Sequence, residues 1–168
     1  MPFDSLSDFT QAERRYLGEE RTVFQKGSGP GVVIIHEIPG ITPPVARFAR
    51  RVADAGFSVY LPHLFGTPGR PMTPLYAAEQ IARACVSREF RVLESGEASP
   101  ITNWLRELCR AAHAECGGPG VGALGMCLTG NFALTLMVDP SVMAPVLAQP
   151  SLPFPTDATR RAGLHLRA

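Results

Sequence analysis

No segment of this sequence reaches the roughly eighteen continuous apolar residues that a membrane-spanning helix needs. The amino terminus, Met1-Pro2-Phe3-Asp4-Ser5-Leu6-Ser7-Asp8, lacks both the basic start and the apolar stretch of a secretory signal. A cytoplasmic protein is expected. Charge of one sign is also missing. The 16 basic residues are balanced by 15 acidic ones with no long run of either, which argues against nucleic acid and acidic membranes as partners. Cysteine is scarce. The four present, Cys85, Cys109, Cys116 and Cys127, form no Cys-x-x-Cys spacing and no paired-histidine pattern, so no zinc site, and no other metal or cofactor, is expected. In a reducing compartment they stay thiols. Repeats and low-complexity tracts are absent as well. Small molecules are left as the expected partners.

What is present suits one core. The 168 residues are 45% hydrophobic, and a chain of this size buries about two thirds of its unfolded surface. Residues 1–20 are polar and aperiodic and read as an arm, with a first strand near Arg21 to Gln25. Gly31-Val32-Val33-Ile34-Ile35-His36 is short, largely apolar and rich in β-branched residues, as a strand buried on both faces of a parallel sheet would be. Thr42 and Pro43 open a helix whose Val45, Phe48, Ala49, Val52 and Ala53 share a face, and Gly56 stops it. Phe57 to Leu61 is the next strand. A loop over Gly66 to Pro71 then leads to a helix capped by Thr73 and opened by Pro74. Another helix starts at Ser99-Pro100, carries Ile101, Trp104, Leu105, Leu108 and Ala112 on one face, and ends at Gly117-Gly118. Val121 to Met126 and Ala144 to Ala148 read as strands, with a helix from Leu128 to Val138 between them. Alternating strands and helices predict an α/β protein with a mostly parallel sheet flanked by helices. The domain spans residues 21–155, between the arm and a tail, 156–168.

The chemistry concentrates at two strand ends. In Val121-Gly122-Ala123-Leu124-Gly125-Met126-Cys127-Leu128-Thr129-Gly130 a thiol stands where a buried strand turns into a helix. Such a turn needs a small residue two places before the exposed side chain, which Gly125 supplies. First-turn N–H groups and the helix dipole can then stabilise negative charge on sulfur or on an oxyanion. A dinucleotide-binding loop would want glycine where Cys127 stands. A buried structural cysteine is the other reading of the same stretch. His36-Glu37-Ile38-Pro39-Gly40-Ile41 follows the strand from Gly31, at the same carboxyl edge of the sheet, where α/β proteins bind ligands. Glu37 is otherwise an exposed carboxylate at a strand end.

Taken in order, His36 to Ile41, Phe57 to Tyr60 leading into Leu64-Phe65-Gly66, and Gly125-Met126-Cys127-Leu128 resemble the dienelactone hydrolase family over roughly residues 20–155. The resemblance implies an α/β-hydrolase-like fold and cleavage of a small-molecule ester or lactone through a cysteine thioester. It implies Cys127 as the nucleophile, Glu37 as the carboxylate beside it, and the backbone N–H groups of Ile38 and Leu128 as the oxyanion hole. Thr129 stands where the family's turns usually carry glycine, a departure that bears on how closely helix and strand pack there.

In that family the catalytic aspartate and histidine follow two further strands, so the chain reads as truncated, with its C-terminal strands missing. Activity is then in question. An inactive fragment, or a small-molecule or redox-binding module using Cys127, is the alternative. His36 and His165 are candidates for the base, although a strand-end histidine is more often structural. Asp139, at the far end of the helix after Cys127, points to the wrong edge. Arg83 and Arg88 are candidates for a substrate carboxylate, with a solvated helix face as their other role. Association through an uncovered sheet edge is also expected.

Overall fold

A short βαβ unit lies at the centre of the fold. The computed structural model describes residues 2–86 and 99–150. Strand β3 (Gly31–Ile35) leads into helix α1 (Pro43–Asp54) and returns as the parallel strand β4 (Ser58–Pro62). Thr42 occupies the N-cap position, but its side chain accepts no capping bond; Pro43 opens the helix, and Gly56 ends it at φ +92. Val45, Ala46 and Ala49 of α1 are buried, with Phe48, Val52 and Ala53 packed at the margin.

Beyond the excursion helix α2 (Pro74–Val86) comes α3 (Pro100–Cys116). Its N-cap is Ser99, whose hydroxyl accepts from the Thr102 N–H at 3.2 Å. Ile101, Trp104, Leu105, Leu108 and Ala112 are all buried, each large side chain contributing about 1.5–3 kcal/mol. Strand β5 (Val121–Met126) follows, then a 3-10 turn (Cys127–Thr129), a short helix α4 (Gly130–Leu136) and strand β6 (Val142–Ala148). The helix expected over Leu128 to Val138 is thus shorter, because its first turn is wound as 3-10 and it ends before Met137.

Residues 1–20 depart most from expectation. They contain strand β1 (Thr10–Tyr16), which pairs antiparallel with β2 (Glu19–Lys26), and Leu6 and Phe9 are buried in the core beside α1. Among the described residues six strands lie in the order β1-β2-β4-β3-β5-β6, with β4, β3, β5 and β6 parallel and the β1–β2 hairpin antiparallel at one edge. Alternate side chains serve opposite faces. Phe24, Ile34, Val59 and Leu61 meet α1, while Val23, Val33, Ile35, Tyr60 and Ala123 meet α3 and α4. From β3 the chain steps first to β4 on one side and later to β5 on the other. The carboxyl ends of β3 and β5 therefore flank a topological switch point, where a crevice opens in sheets of this kind.

Candidate active site

The last register pair between β3 and β5 is Ile35 with Gly125. Two residues beyond that pair stand Glu37, in the loop after β3, and Cys127, in the turn after β5, so the two sequence-predicted groups follow the ends of adjacent strands. Cys127 adopts φ +53, a left-handed conformation that a non-glycine residue holds at a cost of about 1–3 kcal/mol. The turn around it is tightly packed. A Cβ on Gly125 would collide with the Thr129 carbonyl, and one on Gly130 would lie 3.0 Å from Pro150 Cβ. Leu128 falls in the first helical turn, where N–H groups have no intrahelical acceptor.

Thr129 is fully buried. Its hydroxyl accepts from the Met126 N–H at 3.0 Å and lies 2.8 Å from the Met126 carbonyl and 3.1 Å from the Ile35 carbonyl, on the neighbouring strand. Helix and strand pack closely here despite the side chain that replaces glycine.

The loop after β3 is held just as firmly. Gly40 N–H donates to the Glu37 carbonyl at 2.8 Å, closing a turn in which the Ile38 N–H takes no part. A Cβ on Gly66 would strike the Pro39 carbonyl, and one on Gly40 would come within 2.8 Å of the Phe65 carbonyl, so the loops after β3 and β4 are in direct backbone contact. His36 joins them. Fully buried, it receives the Leu64 N–H on Nε2 at 3.1 Å and places Nδ1 3.0 Å from the Glu37 carbonyl, with the Phe65 ring edge-on at 4.5 Å. Burial pushes its pKa down to about 4. With both ring nitrogens committed to backbone, His36 serves the architecture and has no free nitrogen for a substrate.

Glu37 is half-buried, and burial raises its carboxyl above the ordinary carboxylate value; a hydrogen bond from the Gln149 side chain partly offsets this. Gln149 follows β6 and adopts φ +43. Nothing in its local sequence marks it, because only the sheet order brings β6 beside β5.

The remaining candidates fall elsewhere. Arg83 is 71% exposed and pairs with Glu79 on its own helix, so it lies on a solvated face. Arg88 and His165 lie outside the described residues. His63 and His113 hydrogen-bond the carbonyls of Gly66 and Gly118. Asp139, at the far end of α4, binds Arg110 and Ser141. Among the described residues no group of acidic, cysteine or histidine side chains could hold a metal ion, and no helix is long and apolar enough to cross a membrane.

The sequence profile of the dienelactone hydrolase family matches residues 16–163. A Saccharomyces cerevisiae protein named "Putative carboxymethylenebutenolidase" is 27% identical over 138 residues, 82% of this chain and 48% of its own length. The chain thus spans about half the length of that curated relative. Among solved structures, a "Putative Dienelactone Hydrolase" from Klebsiella pneumoniae superposes with a TM-score of 0.59 at 19% identity, over 89% of this chain and 63% of that one. The thioesterase domain from the curacin biosynthetic pathway superposes at 0.56 and 16% identity, over 91% and 50%. The two superpositions carry the fold, an α/β hydrolase.

Proposed function

The chain belongs to the dienelactone hydrolase family, and from that premise we propose that it cleaves a small-molecule ester or lactone through a thioester on Cys127. The observation that carries this reading is the left-handed Cys127 at the strand-to-helix turn, with Glu37 just past the end of the adjacent strand β3. Glu37, its basicity raised by burial, accepts the thiol proton as sulfur attacks the substrate carbonyl carbon. The resulting oxyanion lies between the N–H groups of Ile38 and Leu128, donors already oriented before charge develops. Collapse breaks the acyl carbon–oxygen bond, and the leaving oxygen takes up the proton. Water then adds to the thioester, the carbon–sulfur bond breaks, and the proton released returns to sulfur.

A second reading rests on the histidines. The three among the described residues all engage backbone groups, which favours a site that is acylated, or that binds its ligand, without turning over. Incubation with p-nitrophenyl acetate, followed by mass spectrometry of the peptides, separates the readings. The expected result is an acetyl group on Cys127, lost in Cys127→Ala, with release of p-nitrophenolate. A burst of one equivalent that then stalls supports the second reading, since deacylation without a base is about a hundredfold to ten-thousandfold slower. Acetylation at Cys116 or Cys109 and none at Cys127 would sink both.

A further inference from the structure

We infer that Thr129 is a positioning residue that sets the spacing between the two halves of the oxyanion hole. The inference rests on the proposed role of Cys127 as the nucleophile. Strands β3 and β5 stop pairing at Ile35 and Gly125, and Ile35, at that last rung, is fully buried. The Thr129 hydroxyl bridges the two strands there. It receives the Met126 N–H at 3.0 Å and shares its single proton between the carbonyls of Met126 at 2.8 Å and Ile35 at 3.1 Å.

One oxygen atom therefore ties the residue before Cys127 to the strand end from which Glu37 and Ile38 emerge. The Leu128 N–H lies between Cys127 and Thr129, and the Ile38 N–H lies three residues beyond Ile35. Their separation follows from the link that Thr129 makes, and oxyanion stabilisation depends on donors held about 2.7–3.1 Å from the developing charge. A glycine at position 129 would leave this hydrogen bond unmade.

Two reagents distinguish positioning from plain structural support. Acylation of Cys127 by p-nitrophenyl acetate passes through an oxyanion: a sulfur–carbon bond forms and p-nitrophenolate leaves. Alkylation by iodoacetamide is a direct displacement of iodide and develops no oxyanion. In the full 168-residue chain, Thr129→Val is expected to lower the acylation rate constant of Cys127 by about tenfold to a hundredfold while alkylation changes by less than about threefold, and Thr129→Ser restores acylation. Thr129→Ala, smaller and also without the hydroxyl, gives the same ratio test if the valine variant does not fold. A ratio of acylation to alkylation that stays at the wild-type value in either variant overturns the inference, as does failure of the serine variant to restore it. If wild-type Cys127 is alkylated but never acylated, the nucleophile reading itself has failed, an outcome distinct from all of these.

Discussion

Fully buried, with its Nε2 accepting from the Leu64 N–H, His36 stays neutral in the folded chain, its pKa lowered from the ordinary 6.5 to about 4. The unfolded chain binds a proton below 6.5 and the folded chain only below about 4. Stability is therefore complete above pH 6.5 and falls as pH drops through that window, by about 1 kcal/mol per unit and on the order of 3 kcal/mol in all. Urea unfolding measured between pH 7.5 and 4.5 checks this: the wild type loses stability at that slope, and His36→Asn removes it. Equal slopes in the two proteins would show that His36 is not the group involved. A structural role was the favoured reading of a histidine at a strand end, but its burial and its partners could not be read from sequence. Its commitment comes from Leu64, 28 residues away, and no local pattern encodes that contact.

The elements of the sheet were legible where one force dominates. Strands β3 and β5 announce themselves as continuous apolar runs, and α3 buries the whole face predicted from its period. Strand β1 did not, because its sequence, Thr-Gln-Ala-Glu-Arg-Arg-Tyr, is polar on both faces. It is held by backbone pairing with β2 and by long-range contacts, Arg14 to Glu115 at 2.7 Å and Tyr16 against Trp104 at 5.4 Å. The glycines of β5 give a matched test of the turn at its end. In Gly125→Ala the new methyl meets the Thr129 carbonyl and lies 2.9 Å from Gly130 Cα. This should destabilise the fold by about 1–3 kcal/mol and abolish acylation of Cys127. In Gly122→Ala the nearest atom is 3.5 Å away, and stability should stay within about 0.5 kcal/mol. Thermal denaturation of both variants, with p-nitrophenolate release from each, decides it. Equal losses would show that the backbone at the turn yields.

At the scale of the whole molecule, the two edges that the sheet has among the described residues differ. The β1 edge carries Glu13, Arg14 and Arg15. The β6 edge, Val142-Met-Ala-Pro-Val-Leu-Ala148, has no charged residue, and Met143, Val146 and Leu147 are all exposed. Charges on an edge strand block addition of further strands; β6 lacks them, and only Pro145, which has no N–H to offer, interrupts its edge. The chain is therefore expected to self-associate through β6, with light scattering behind size-exclusion chromatography giving a mass that rises with concentration and Val146→Lys returning it to the monomer. A monomer at every concentration would contradict this.

The same contrast limits how far assembly can go. Joining β6 of one copy to β1 of the next would repeat head to tail and grow a filament, but the charged β1 edge opposes that contact. A pairing of β6 with β6 uses up both permissive edges at once and can only be two-fold. Guarding one side of the sheet thus turns a sticky edge into a self-terminating one.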